Sequence, residues 1–495
     1  MKNHHTIKIN FRGGIISPGD LLEILETASL AGVSKVSFGL RQQLILEIKD
    51  EKYVEFLEQL TNLHLPFEKD GEANPNIMSS YPAEEVFITK TWLSEGVYKD
   101  IFDLVDFEPK LKINICDSNQ SITPMLTGNI NWVASSQNPH FWHLLIRFPG
   151  TNTIYEWKQL LYTNDIARMS KDLEHLTLAN KEDFYHNPDA KGDDLFKMTN
   201  IADYITKPAT SAARLASFNL PYYEGLNRYN DKYWLGIYRR DEMFEVDFLK
   251  DICHLCLQTK IGQVCCTSWK SLMIKGITEK DRPDWNNLLA KHRVNVRHAA
   301  NELNFQVEDD CSEGLKLKNF IVRNLSRDDI RTFGICIGIK TRKKSEIFSS
   351  ILVKRKALLT IAGIPFFHVY DILCATNFNP NERTGFKTGQ NIFKFMLPVK
   401  LRKTIILFYE HQHNKNEKIK KLITKKPEVV AEKEFVHQCP QCLTIYDSLS
   451  GEPENNIASG TAFEELPATY CCSLCEAPKN EFIKKDKSTL LSQAV

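Results

Sequence analysis

The apolar and polar positions near the N-terminus predict a strand, a helix and a second strand in succession. IKINF, residues 7–11, alternates as a strand does, and SPGD, residues 17–20, offers an N-cap serine, a first-turn proline and an acidic residue. Apolar residues then recur at helical spacing up to Gly32, and residues 33–48 alternate again. With a further helix over Glu51–Leu60, the pattern predicts a small α+β domain.

The same pattern returns in the second half of the chain, which indicates an internal duplication. Residues 233–240 predict a strand, residues 244–259 a helix and residues 263–277 a closing strand. Further segments with strand character are 111–119 and 140–148, then GICIGIK at 334–340, LLTIAGI at 358–364 and KTIILFY at 403–409.

Residues 411–434 are rich in lysine and glutamate and contain few large apolar side chains. The segment suits a linker, and a solvated helix is the alternative for its first half, because Pro427 opposes a helix that runs to the end. The predicted domain bounds are 1–70 and 225–300 for the two similar copies, 71–215 and 301–410 for the domains that follow them, 411–434 for the linker and 435–485 for a C-terminal module.

Charge and hydropathy narrow the class of protein. The 495 residues include 63 lysines and arginines against 62 acidic residues, a balance that argues against a general nucleic-acid or membrane-surface binder. No segment has the apolar length of a signal peptide core or of a spanning helix. We therefore expect a cytoplasmic protein that neither binds nucleic acid nor inserts into a membrane.

Cysteine spacing supplies the candidate chemistry. Of 13 cysteines, four form two CxxC pairs near the C-terminus, which can present four thiolates tetrahedrally to one metal ion. The predicted ligands are Cys439, Cys442, Cys472 and Cys475; Cys472 is preferred over Cys471 because only Cys472 completes a CxxC with Cys475. The spacing leaves zinc and iron open. We expect most of the other cysteines to be buried and inert.

The residues between and around these pairs resemble rubredoxin. The matching residues are CPQC, Tyr446, Asp447, Gly451, Pro453, Ile457, Gly460, Thr461, Phe463, Leu466, Pro467, Tyr470, CSLC, Lys479 and Phe482. The resemblance implies one iron ion, Fe2+ or Fe3+, that transfers single electrons, with structural zinc as the alternative. We expect a small aromatic core formed by Phe435, Tyr446, Phe463, Tyr470 and Phe482.

The module departs from the rubredoxin family at the turns that hold the ligands. Leu443 and Glu476 stand where the family usually has glycine after the second and fourth ligands. Those turns often need a positive φ, which costs a non-glycine residue about 1 kcal/mol or more. Ser473 replaces the usual proline, and an inward-turned Glu476 would lower the redox potential of the centre.

Residues 13–48 resemble the ferredoxin-like half domain of siroheme-dependent nitrite and sulfite reductases, with Arg41 and Gln42 matching an Arg-Gln pair. In the second copy Trp269 and Lys270 stand at that place, and residues 109–133 are similar as well. The resemblance implies duplicated half domains and basic residues that hold an anionic siroheme. By that analogy Arg12, Arg41 and Lys270 are the candidate cofactor-binding residues.

The cluster ligands implied by this resemblance are absent from the matching stretch. Ser118 and Ile122 occupy the expected ligand positions, and only Cys116 lies nearby. A second grouping does not match the family's spacing and is expected to pack in the core: Cys253, Cys256, Cys265 and Cys266. Siroheme is therefore doubtful, and the region is expected to keep the fold without the family's chemistry.

The predicted function is electron transfer by the rubredoxin-like module, to or from a nitrite or sulfite reductase or a flavin-dependent donor. An electron carrier is favoured over a catalyst. The alternative is a siroheme-containing nitrite or sulfite reductase with a fused rubredoxin donor; no catalytic residue is assigned.

Overall fold

A computed structural model describes residues 4–69, 73–88, 91–215, 218, 220–221, 223, 225–296, 302–342, 347–361, 364–382, 384–424, 435–452, 455 and 457–486. The chain divides into two compact units, Met1–His411 and Gln412–Val495. Within the described residues, no helix has the length and apolar character needed to cross a membrane.

The first sheet is antiparallel and combines four strands of the first copy with one strand of the second. Its strands in spatial order are Met243–Glu245, Lys35–Phe38, Gln43–Lys49, His4–Asn10 and Phe67–Glu68. Helices Pro18–Leu30 and Tyr53–Asn62 follow the predicted pattern. Ser17 caps the first of them, since its hydroxyl accepts from the Asp20 N–H at 3.0 Å. The expected single strand over residues 33–48 is wrong, because a turn with Gln42 at φ 60° divides it into a hairpin.

The second sheet repeats this arrangement and confirms the duplication. Its strands in spatial order are Leu226–Tyr229, Lys232–Ile237, Leu272–Ile277, Val264–Cys266 and Ile15–Ile16, with helices Val246–Gln258 and Arg282–Lys291. The expected closing strand is again a hairpin, and Lys270, at φ 53°, occupies the turn position of Gln42. The copies exchange strands: Ile15–Ile16 pairs with the second copy and Met243–Glu245 with the first.

The third sheet confirms the strands predicted after the first copy. In spatial order it contains Thr206–Pro208, Tyr155–Tyr162, Phe141–Ile146, Ile130–Ala134, Ile113–Cys116 and Met78–Ser79. The last three are parallel and the rest antiparallel. The accompanying helices are Glu95–Asp103, Ile166–Ala179, Lys181–Phe184 and Gly192–Lys197.

The fourth sheet follows the second copy. Its strands in spatial order are Phe305–Val307, Ile337–Lys340, Ile351–Ile361, Ile364–Ala375 and Gly385–Ile392, with helices Ser312–Arg327 and Leu397–Thr424. The strand expected at residues 403–409 is wrong, because this segment lies inside the last helix. That helix also includes residues 411–424, as in the helix alternative for the lysine-rich segment, whereas residues 425–434 lie outside the described residues.

The C-terminal unit contains a small antiparallel sheet in the order Ile445–Tyr446, Phe435–Gln438, Ile483–Asp486. Its core contains Tyr446, Phe463, Leu466 and Tyr470, with Phe482 packed against it. The expected core position of Phe435 is wrong. Strand alternation turns the neighbouring Val436 inward and leaves Phe435 46% exposed.

Candidate metal centre

Two similar turns, the first knuckle (residues 439–444) and the second knuckle (residues 472–477), hold the four predicted ligands. In the first knuckle the Cys439 N–H donates to the Thr444 carbonyl at 2.9 Å, and the Leu443 N–H donates to the Cys439 carbonyl at 3.0 Å. The second knuckle repeats both bonds between Cys472 and Ala477 at 2.8 Å and between Glu476 and Cys472 at 2.9 Å. The two knuckles are therefore equivalent in backbone conformation.

The positive φ expected at the two glycine-replacing positions is confirmed. Leu443 lies at φ 64° and Glu476 at φ 57°. Each residue follows the second cysteine of its CxxC pair, and its N–H donates to the carbonyl of the first cysteine. Left-handed backbone costs a non-glycine residue about 1–2 kcal/mol.

The four sulfur atoms converge as one metal ion requires. The Cys439 and Cys475 sulfurs are 3.5 Å apart, the Cys442 and Cys472 sulfurs 3.4 Å, and all four lie within 4.8 Å of one another. A metal–sulfur distance of about 2.3 Å places tetrahedral sulfurs about 3.8 Å apart. The donor set therefore fits a tetrathiolate ion such as iron or zinc.

The two knuckles expose their sulfurs unequally. Cys439 and Cys472 are buried, whereas Cys442 and Cys475 are partly exposed. Leu443 and Leu474 beside them are 62% and 73% exposed. The Thr444 hydroxyl oxygen lies 3.1 Å from the Cys442 sulfur. Hydrogen bonding to this sulfur by the Thr444 hydroxyl and by the Thr444 backbone N–H lowers the pKa of Cys442 to about 6. This favours the thiolate that binds metal.

Sequence reasoning did not identify two contacts in this module. Thr444 reaches the Cys442 sulfur, and the His437 ring stacks on Phe463 with centroids 3.9 Å apart. The position of Thr444 two residues after a ligand could have suggested the first contact. Nothing local indicates the second, because the two rings are far apart in sequence.

The structure places the three candidate cofactor-binding residues in internal contacts. Arg12 donates to the carbonyls of Phe102 and Val105 at 2.9 and 3.1 Å. Arg41 is buried and donates to the Asn76 carbonyl at 2.7 Å, and burial lowers the pKa of Arg41 to about 10.

Lys270 is also buried, and its ammonium contacts the Glu242 carboxylate at 2.8 Å. The described hydrogen bonds of the three cations go to oxygen atoms of the protein itself. Their assignment to siroheme stays a prediction, because the described contacts already use these side chains within the protein.

The cysteines outside the C-terminal module pack in the core. Cys253 and Cys256 lie on helix Val246–Gln258, and burial raises the pKa of Cys253 to about 12. Cys265 and Cys266 point to opposite faces of their strand, since they belong to different core clusters. Of all His, Cys, Asp and Glu side chains in the described ranges, only the four knuckle cysteines form a group able to hold an ion.

The residues at the expected positions of the cluster ligands have little solvent exposure. Cys116, Ser118 and Ile122 are buried. The Ile122 carbonyl accepts a hydrogen bond from the Trp269 indole N–H at 2.5 Å. Because the described contacts of these residues are with other parts of the protein, we derive no chemistry through siroheme.

Comparison with known proteins agrees with the C-terminal geometry. Residues 436–482 match the rubredoxin family. The module is 45% identical over 47 residues to Rubredoxin-2 of Chlorobaculum tepidum, which covers 10% of this chain and 90% of that protein. It is 44% identical over 46 residues to the high molecular weight rubredoxin of Moorella thermoacetica, which covers 9% of this chain and 20% of that protein. These findings and the four converged sulfurs define a tetrathiolate metal-binding domain, and the chain belongs to the rubredoxin family through this module.

The larger unit is similar in fold to a solved structure. The Mycobacterium tuberculosis NirA protein matches with a TM-score of 0.63 and 13% identity, over 82% of this chain and 81% of that chain. At this identity the likeness concerns the fold alone, and it confirms that the chain has a NirA-like mixed α/β fold.

Proposed function

We propose that this protein is an electron carrier whose C-terminal module holds one iron ion between Cys439, Cys442, Cys472 and Cys475. The convergence of four thiols in a rubredoxin domain is the observation that carries the proposal. The four cysteine sulfurs would hold the ion, which would supply one-electron exchange between Fe3+ and Fe2+ without a bond being formed or broken. Iron suits this exchange because zinc has no accessible second oxidation state.

The arrangement of the knuckles suits electron exchange with another protein. Cys442 and Cys475 are partly exposed, and Leu443 and Leu474 form an apolar border beside them. A partner that covers this border would exclude water and approach the iron through the outer sulfurs. The NirA-like fold of the larger unit supports a redox partner of the nitrite or sulfite reductase type, or a flavin-dependent donor.

The net negative charge of the C-terminal module supports a basic docking face on that partner. Residues 435–486 contain eight acidic residues and three lysines. Opposite charge on the partner would accelerate encounter and make it sensitive to salt.

An absorption spectrum of the purified full-length protein, oxidised and dithionite-reduced, with metal analysis of the same sample, tests the proposal. We expect thiolate-to-iron bands that bleach on reduction and about one iron per chain. A colourless, zinc-containing protein after expression in iron-rich medium would contradict it.

A siroheme-containing reductase is the second candidate, and the NirA-like fold is the observation that favours it. The same absorption spectrum distinguishes the reductase from the electron carrier. Porphyrin-type absorption that persists through purification would support the reductase, and its absence alongside a bleachable iron centre would support the carrier.

A further inference from the structure

The two knuckles differ at one position that faces a ligand sulfur. Thr444 closes the first knuckle and Ala477 closes the second, and each carbonyl accepts the N–H of the first cysteine in its turn. Only the first knuckle therefore has a side-chain hydroxyl at this place. Its oxygen lies 3.1 Å from the sulfur of Cys442, within hydrogen-bonding distance.

The direction of this hydrogen bond follows from the chemistry of the site. A metal-bound cysteine is a thiolate and has no proton to donate, so the Thr444 hydroxyl is the donor. A hydrogen bond to a charged acceptor is stronger than one between neutral groups. It withdraws negative charge from the sulfur that the iron shares.

We propose that Thr444 tunes the metal centre by donating this hydrogen bond to Cys442, and that it raises the reduction potential of the iron. The inference rests on the proposed electron-transfer function. Four thiolates around Fe3+ carry one net negative charge and around Fe2+ two. A donor at sulfur stabilises the more negative, reduced state more strongly, and such bonds are among the factors that set the potentials of iron–sulfur centres.

The side-chain bond adds to the backbone arrangement that both knuckles share. Cys442 is one of the two partly exposed ligands, so the donor acts on a sulfur near the surface where a partner would approach. Cys475, the corresponding sulfur of the second knuckle, has Ala477 in place of such a residue. Thr444 is therefore a positioning residue that distinguishes the two outer sulfurs.

The test uses the iron-loaded full-length protein and three variants at this position. Thr444→Val keeps the shape of the side chain without the hydroxyl, Thr444→Ala reproduces the residue of the second knuckle, and Thr444→Ser restores a donor. Thr461→Val is the matched control, because the Thr461 hydroxyl donates to the Ala458 carbonyl at 2.8 Å and not to sulfur. The readouts are the midpoint potential from an optical redox titration and the energies of the thiolate-to-iron bands.

We expect Thr444→Val and Thr444→Ala to lower the potential and shift the charge-transfer bands, whereas Thr444→Ser and Thr461→Val remain close to wild type. An unchanged potential in both hydroxyl-free variants would overturn the inference. Equal shifts in Thr444→Ser and Thr444→Val would also overturn it, since packing and not the hydroxyl would then be responsible. Loss of iron from both hydroxyl-free variants would overturn it by making Thr444 a requirement for metal binding. A wild-type protein without a reversible iron couple would instead refute the proposed function.

Discussion

At the scale of single residues, the metal site keeps two strained backbone positions. Leu443 and Glu476 adopt φ values of 64° and 57° that glycine adopts without steric cost. We predict that Leu443→Gly and Glu476→Gly each stabilise the module by about 1 kcal/mol, because the relief of strain exceeds the added entropy of the unfolded chain. Denaturant unfolding followed by the loss of thiolate-to-iron absorption would measure the change.

Leu474→Gly is the matched control for these variants. Leu474 lies in the second knuckle and is 73% exposed, but it is not among the residues with positive φ. Glycine there relieves no strain and is expected to leave the module equally stable or to weaken it. Equal stabilisation by all three substitutions would contradict the strain argument.

The four metal ligands were predictable because their pattern is local, whereas the fate of Arg41 was not. Each CxxC pair brings its own two thiols together in one turn, so spacing alone reveals the donors. Arg41 instead donates to the carbonyls of Asn76 and Ile113, which lie 35 and 72 positions away in sequence. The sequence shows that a cation stands at this position. Only the tertiary fold shows which acceptors surround it.

At the scale of elements, a run of β-branched and aromatic residues gave the wrong secondary structure at residues 403–409. The segment lies in helix Leu397–Thr424, and its buried positions recur at helical spacing: Leu397, Leu401, Ile405 and Phe408. A seven-residue segment covers too few helical turns for the helical spacing of its apolar residues to outweigh the preference of β-branched and aromatic residues for strands. Both hairpin turns of the duplicated halves were missed for a related reason, since Gln42 and Lys270 are unusual residues at positive φ.

The helix predicts that truncating two nearby side chains lowers the free energy of unfolding by different amounts. Ile405 is 1% exposed and Leu407 is 46% exposed. Ile405→Ala should destabilise the larger unit by about 2–5 kcal/mol through lost packing, and Leu407→Ala should change it by about 0.5 kcal/mol or less. A strand would place both side chains on the same face, so equal costs would argue against the helix.

Tryptophan fluorescence during urea unfolding is suited to this measurement. All seven tryptophans lie between residues 92 and 285, so their emission reports on the larger unit and not on the rubredoxin module.

At the scale of the whole molecule, the two copies form one framework. A network of buried ion pairs joins this framework to helix Ser312–Arg327. The two halves exchange strands reciprocally, which makes each sheet incomplete without the other copy. Lys270, in the second hairpin turn, and Lys318, on helix Ser312–Arg327, both contact the Glu242 carboxylate, at 2.8 and 3.0 Å. The position where the family resemblance suggested a cofactor cation thus belongs to a network that connects the second copy to helix Ser312–Arg327.

The ion pairs of Glu242 with Lys270 and Lys318 predict how the free energy of unfolding depends on pH. Burial alone would raise the pKa of Glu242, but Lys270 and Lys318 together lower it below the ordinary value of 4.5. Burial likewise opposes the charge on Lys270, yet Glu242 and Asp309 raise the pKa of Lys270 above 10.5. The contribution of Glu242 is therefore complete above pH 4.5 and is lost as the pH falls through its lowered pKa. The contribution of Lys270 is complete below pH 10.5 and is lost as the pH rises through its raised pKa.

Glu242→Gln should reduce the free energy of unfolding of the larger unit at pH 7 by roughly 3–5 kcal/mol, because two buried ammonium groups lose their counter-charge. The difference from wild type should shrink as the pH falls from 4.5 through the lowered pKa of Glu242, below which the wild-type carboxylate is also neutral. Glu245→Gln is the control, since the ion pair of Glu245 with Lys35 is largely exposed and should contribute about 1 kcal/mol or less. If Glu242→Gln and Glu245→Gln were equally mild at pH 7, the buried network would not hold helix Ser312–Arg327 against the second copy, and their packing would have to depend on apolar contacts alone.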